Sequence, residues 1–152
     1  MKNEGSISSF GRKVFFIEKY LVLWYNNSKK GGVAMKENLL IDKSIAFASR
    51  IMKLHQYLIK TKKETIISKQ IVRSGTSIGA NINEANYGQS KADFVSKMHI
   101  ALKETAETEY WLRLLTMSEY ITEDMGKSLL NDCLEIKRIL VASINTAKEN
   151  KQ

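Results

Sequence analysis

Between Ile67 and Ala85 the chain carries a helical stripe with two glycines set beside it. Ile67, Ile71, Ser74, Ile78, Ile82 and Ala85 recur at intervals of three and four, which puts them on one face of a helix. Gly75, Ser77, Gly79 and Ala80 fill the positions between. Glycine inside a helix costs about 1 kcal/mol relative to alanine, so two of them four apart predict that another backbone passes very close. The stretch therefore calls for helices packed tightly on helices.

The absence of proline from all 152 residues agrees, since proline breaks helix interiors and is at home in turns. An apolar content of 43% is that of an ordinary globular chain, which argues against disorder and against a membrane protein. The single cysteine, Cys133, rules out an internal disulfide framework and lies on a helical stripe, so a buried hydrophobic role and a reducing, cytoplasmic setting are expected. Net charge is +8, of which residues 1–34 supply +4 from six Lys/Arg and two acids. The remainder is only mildly basic, and local placement of charge matters more than its sum.

Residues 1–34 read differently from residues 35–152. Val14 to Tyr25 is apolar but interrupted by Glu18 and Lys19, which makes a poor signal peptide and too short a membrane span. Lys30-Gly31-Gly32 can be encoded as AAA GGA GGT, a ribosome-binding sequence, and Met35 follows at a distance suited to initiation. We expect residues 1–34 to be translated leader and residues 35–152 to form the domain. The alternative is an amphipathic extension that docks on it.

Four helices follow. The first is expected from Ile41 to about Lys60, with Phe47, Ile51, Leu54 and Leu58 on one stripe and Ile45, Ala48, Met52 and Ile59 on a second. Asp42 or Ser44 is its expected cap, and Thr65 or Ser68 that of the second helix, after a polar turn at Thr61–Glu64. Gly88 suits a C-terminal cap, and Ser90 the N-cap of a third helix from Lys91 to about Tyr120. The last helix carries Met125, Leu129, Cys133, Ile136, Leu140 and Ile144, with a fraying tail from Asn145. Short turns between helices of this length give an all-α, up-and-down antiparallel four-helix bundle. One apolar stripe per helix is enough for its core, so the surplus stripes point to contact between subunits or, alternatively, to a thick core with some solvent-exposed leucines.

The run from Arg73 to Ile82, followed by Glu84-Ala85, is joined by Gln89-Ser90-Lys91-Ala92-Asp93-Phe94 and by Ala101 to Leu112. Together these blocks resemble a bacterial four-helix-bundle family first noted as open reading frames within intervening sequences of 23S ribosomal RNA genes. The resemblance covers about Leu39 to Lys148, and departs from many members at Ala85, where they carry glycine. It implies an antiparallel four-helix protomer assembled as a homopentameric ring, with no established enzymatic activity. A similar fold occurs in the accessory variability protein of diversity-generating retroelements, a basic pentamer that binds nucleic acid and its partner reverse transcriptase.

Candidate nucleic-acid-binding residues are Arg50, Lys53, Lys60, Lys62, Lys63, Lys69 and Arg73, set against the single acid Glu64 over that span. Acids at Glu119, Glu123 and Asp124 fall at the same end of such a bundle and oppose them. Candidate interface residues are Gly75, Gly79, Asn81, Glu84, Tyr110, Trp111 and Leu114. Arg73, Asn81, Asn83 and Glu84 can hold a hydrogen-bond network between subunits or line a central channel. His55 and His99 are isolated, and no paired Glu-x-x-His motif is present, so neither a metal nor a cofactor is expected. Glu109 and Arg113 form an i,i+4 pair in the favourable order. The chain reads as a non-enzymatic scaffold that binds RNA or DNA, or else as a protein-interaction module serving a nucleic-acid enzyme.

Overall fold

The computed structural model describes residues 35–149, and among these it contains four α-helices: α1 (Met35–Tyr57), α2 (Ile67–Ala85), α3 (Lys91–Met117) and α4 (Glu123–Glu149). Contacts divide the chain between Asn38 and Leu39, and the packing below lies within Leu39–Gln152. The expected leader or extension at 1–34 lies outside the described residues.

Each seam between neighbours runs antiparallel. Ser44 and Ile51 of α1 face Gly79 and Gly75 of α2. On the other side of α1, Lys43 bonds Glu135, and Arg50 bonds Asp132 and Ser128 of α4. Ser74 and Glu84 of α2 meet Thr108 and Lys97 of α3. Thr105 and Thr116 of α3 meet Cys133 and Gly126 of α4. Residue numbers rise on one helix as they fall on its neighbour, which defines the up-and-down bundle that the short turns require.

The anticipated stripes make the core. Phe47, Ile51, Leu54 and Leu58 are buried against Ile71, Ile78 and Ile82, and against Met98, Leu112, Leu129, Cys133, Ile136, Leu140 and Ile144. The second stripe of α1 is not part of it: Ile45 and Met52 are 46% and 52% exposed.

The two glycines of α2 allow α1 to lie close. A Cβ at Gly75 would sit 2.8 Å from Cγ2 of Ile51, a side chain with no exposed surface. At Gly79 it would sit 3.0 Å from Oγ of Ser44. That hydroxyl is itself folded back, donating to the Ile41 carbonyl at 2.7 Å. The close backbone predicted from the sequence is therefore α1 of the same protomer, and Gly75 and Gly79 are occupied by that contact.

Several boundaries differ from expectation. Ser44 caps nothing, because α1 already runs from Met35 and Ser44 is buried against α2. At its other end α1 passes into a π-helical turn, Leu58–Lys62, and stops where Lys63 adopts a left-handed φ of 56°. This brings Glu64 over the start of α2, where its carboxylate accepts from the amides of Ile66, Ile67 and Ser68 at 2.7–2.8 Å. Glu64 is thus the cap in place of Thr65 or Ser68. Gly88 has no positive φ; its amide donates to the Ala85 carbonyl at 3.0 Å, and a Cβ there would crowd Ala85 O and Phe94 N at 3.1 Å. Ser90 does cap α3, accepting from the Asp93 amide while Asp93 accepts from that of Gln89. α3 stops at Met117 rather than near Tyr120, and α4 continues to Glu149 rather than fraying at Asn145.

Two substitutions test this framework. Gly75→Ala gains about 1 kcal/mol of helix propensity but forces a methyl into Ile51, so a net loss of about 1–2 kcal/mol is expected in chemical denaturation. A more stable variant would mean that α1 can move aside. Burial raises the Glu64 pKa, but the bonds from the Ile67, Ser68 and Ile66 amides outweigh it and the net shift is downward. A lowered folded pKa stabilises the protein above the unfolded value of about 4.3, and that stability is lost as pH falls through the folded value. Glu64→Ala is expected to cost about 1 kcal/mol at neutral pH, with the deficit shrinking in acid melts.

Candidate functional site

The first and third turns lie together at one end of the bundle. They enclose a groove of about 410 Å3 lined by Tyr57, Lys62, Thr116, Met117, Glu119, Ile121, Thr122 and Glu123. Around the first turn Lys53, Lys60, Lys62, Lys63 and Lys69 are all exposed, and none forms a salt bridge among the described residues. The nearest acid in sequence, Glu64, is committed to the α2 amides and turned away from them. The acids Glu119 and Glu123 share the groove with Lys62, as the topology implied.

Arg50 and Arg73 do not join this cluster. Arg50 is clamped by Asp132 and by the Ser128 hydroxyl, with its Nη2 2.8 Å from the latter. Arg73 is bonded to Glu107 at 3.0 Å. Both guanidiniums tie neighbouring helices together, a pairing across 34 or more residues that no local pattern reveals.

The candidate interface residues have partners within the protomer in several cases. Asn81 Nδ2 donates to the Ser77 carbonyl one turn back at 2.8 Å, and Glu84 pairs with Lys97 of α3. Trp111 is half-buried, and its Nε1–H donates to Glu107 at 3.2 Å, the oxygen that also receives Arg73. Tyr110, 59% exposed, packs edge-on to Trp111 with ring centres 4.8 Å apart, and Leu114 is half-buried. Between these groups lies Glu104, whose Oε2 is shielded from solvent and has no hydrogen-bond partner among the described residues. Burial pushes its carboxyl up, the Glu107 charge adds to this, and Arg73 opposes it. The sequence groups Glu104 with Glu107 and Glu109 near Lys103 and Arg113, which reads as a surface or interface salt bridge before a catalytic carboxylate pair. It does not mark the shielding of Glu104, which follows from what surrounds it.

Other titratable groups serve the fold. His55 must carry its proton on Nδ1, since that atom bonds the Ser68 carbonyl at 3.0 Å and a carbonyl only accepts. The Cys133 thiol is pushed up to about 12, first by burial and then by the Glu109 charge. Such a thiol is inert as a nucleophile. Glu109 forms the expected pair with Arg113 at 2.8 Å and also holds Lys137 of α4 at 2.9 Å. Among the described residues no three His, Cys, Asp or Glu side chains are grouped to hold a metal ion, and no helix is long and apolar enough to cross a membrane.

Residues 36–142 match the 23S rRNA-intervening sequence protein family. The chain belongs to this family. Its fold is also that of a solved protein of unknown function from the S23 ribosomal protein family of Bacteroides thetaiotaomicron, 54% identical. The match covers 72% of this chain and 98% of that one, with a TM-score of 0.72. No curated protein matches the chain.

The Glu109 clamp between α3 and α4 gives a further test. The Lys137 and Arg113 hydrogen bonds hold its carboxyl below the usual range, and burial opposes them only in part. Glu109→Gln is expected to cost about 1–2 kcal/mol near pH 7. A lowered folded pKa means that this contribution fades as pH falls through it, so acid titrations of variant and wild type should converge.

Proposed function

We propose that this family member is a non-enzymatic, self-associating scaffold that binds RNA or DNA through the lysines of its first turn. The observation that carries this is the set of five exposed lysines, Lys53, Lys60, Lys62, Lys63 and Lys69, without salt-bridge partners among the described residues. Elsewhere Lys43, Arg50, Arg73, Lys97, Arg113 and Lys137 are each engaged by an acid, and Lys103, Lys127, Arg138 and Lys148, which form no salt bridge among the described residues, are spread along α3 and α4 and not gathered at one turn. Phosphates are the natural counter-charge for a cluster of flexible ammonium groups, and contacts of this kind position a backbone without reading its bases. Arg50 and Arg73 are left out of the binding set because acids already hold them.

Self-association as a ring of five, in the cytoplasm, completes the reading. It is supported by the apolar side chains the protomer leaves open, among them Ile45, Met52 and Tyr110. A ring would repeat the lysine cluster around one rim and steepen the dependence on salt. The same open apolar surface favours the second reading, a protein-interaction module or accessory subunit of a nucleic-acid enzyme that does not itself touch nucleic acid.

Filter retention of labelled RNA and DNA separates the two. Affinity is expected to fall by roughly a thousandfold or more between about 50 and 200 mM salt if six or more phosphates are engaged. The triple variant Lys60→Ala, Lys62→Ala, Lys63→Ala should abolish most retention while melting normally. Absence of salt-sensitive retention would leave the protein-only reading standing.

A further inference from the structure

Two carboxyls on α3 share one guanidinium, and their surroundings differ. Glu104 Oε2 is closed to solvent and has no hydrogen-bond partner among the described residues. An oxygen that neither water nor an N–H reaches disfavours the ionised carboxylate, because burial without a partner penalises the charged form. Glu107 lies three residues on, which sets the two carboxyls on one face of the helix with Cβ atoms about 5–6 Å apart. Glu107 Oε1 receives the Arg73 guanidinium at 3.0 Å and the Trp111 indole at 3.2 Å, so donors of the protein hold its charge. Arg73 is thereby engaged by one acid and not by the other.

The groups packed around Glu104 do not relieve it. The Ser74–Thr108 and Glu84–Lys97 contacts bracket it, and α2 carries no charged residue between Ser74 and Glu84. The Asn81 amide in that stretch is committed to the Ser77 carbonyl, and the Thr108 hydroxyl to Ser74 Oγ and the Glu104 backbone carbonyl. On α3 itself, Lys103 is exposed and about 100° round the helix, while Lys97, two turns back, is bound to Glu84. α4 packs on the other flank, where Lys137 is bound to Glu109, about 140° round from Glu104.

We propose that Glu104 and Glu107 form a proton-binding site which, with Arg73, acts as a pH-sensitive latch between α2 and α3. The pair binds one proton, and it resides on Glu104 because Glu107 has the donors. In that state the Glu104–Glu107–Arg73 group is neutral and Arg73 serves Glu107 alone. Loss of the proton leaves one uncompensated negative charge and sets a second carboxylate competing for the guanidinium that joins the two helices. Burial pushes the Glu104 carboxyl up and the Glu107 charge adds to this, against the opposing effect of Arg73. A raised folded pKa gives stability that is complete below the unfolded value of about 4.3 and is lost as pH rises through the folded value. The trend is opposite in sign to that of Glu64 and Glu109, whose contributions fade in acid.

The test is a pH titration of the glutamate side-chain carboxyl carbons by NMR on the full chain, with chemical denaturation alongside. Glu104 should titrate above the ordinary value of about 4.3. Glu107→Gln keeps an acceptor for Trp111, removes the neighbouring charge and releases Arg73, so it should lower the Glu104 midpoint; Arg73→Ala should raise it. Glu104→Gln removes the proton site, and the wild type should lose denaturation midpoint relative to this variant as pH rises through the Glu104 titration. A wild-type Glu104 midpoint at or below about 4.3 overturns the site without any variant having to fold. A raised midpoint that Glu107→Gln leaves in place overturns the pair, since burial alone would then be at work. A midpoint that Arg73→Ala leaves in place, or a stability difference from Glu104→Gln that stays constant with pH, overturns the latch.

Discussion

The close contact of α1 and α2 orders the rest of this protein. With hydrogen in place of a methyl at Gly75, the side chain of Ile51 reaches the α2 backbone, and at Gly79 the short Ser44 fits beneath it. Such an approach is available only to a helix that gives up side chains along one line, and α2 gives up propensity to do so. The consequences spread outward. Once α1 is seated on the glycines, its Phe47–Leu58 stripe fills the interior and its Ile45–Met52 stripe is turned to the outside. The polar remainder of α2 is turned toward α3, where Ser74 meets Thr108 inside the bundle and Arg73 meets Glu107 at its edge.

Charge is then divided by position along the helices. Four cations in mid-helix meet acids on the adjacent helix, at Lys43–Glu135, Arg50–Asp132, Arg73–Glu107 and Lys137–Glu109, while Lys103 and Arg138 make no salt bridge among the described residues. Exposed pairs of this sort contribute little stability, but they neutralise the flanks of the bundle. At the first turn Glu119 and Glu123 share a groove with Lys62, but among the described residues no lysine there makes such a pair. The single acid of that turn is drawn to the α2 N-terminus, where three free amides and the helix dipole hold it, and its lysines are left facing solvent. A surface able to attract polyanions thus arises from a capping interaction as much as from the lysines themselves.

Much of the fold was legible in the sequence, because helical periodicity and the absence of proline act locally and consistently. The buried stripes of α1, α2 and α4 coincide with those read from spacing, and Ser90 caps α3 as its position suggests. The capping errors have two causes. Ser44 falls inside a helix that begins at Met35, while the choice among Thr65, Ser68 and Glu64 depended on where the chain turns. Lys63 turns it, in a left-handed conformation that its side chain does not announce. The candidate site was legible only as composition: seven cations in one span, of which Arg50 and Arg73 are claimed by Asp132 and Glu107 far along the chain.

By itself, then, the sequence determined the number and the main buried faces of the helices, since these follow from contacts a few residues apart, whereas their ends were set elsewhere. Tertiary structure decided which charges are paired, which glycine serves which neighbour, and that Glu104 Oε2 is shielded with no donor among the described residues. Those outcomes depend on side chains brought together from separate helices, where desolvation and pairing are set by the neighbours and not by the residue that carries the charge.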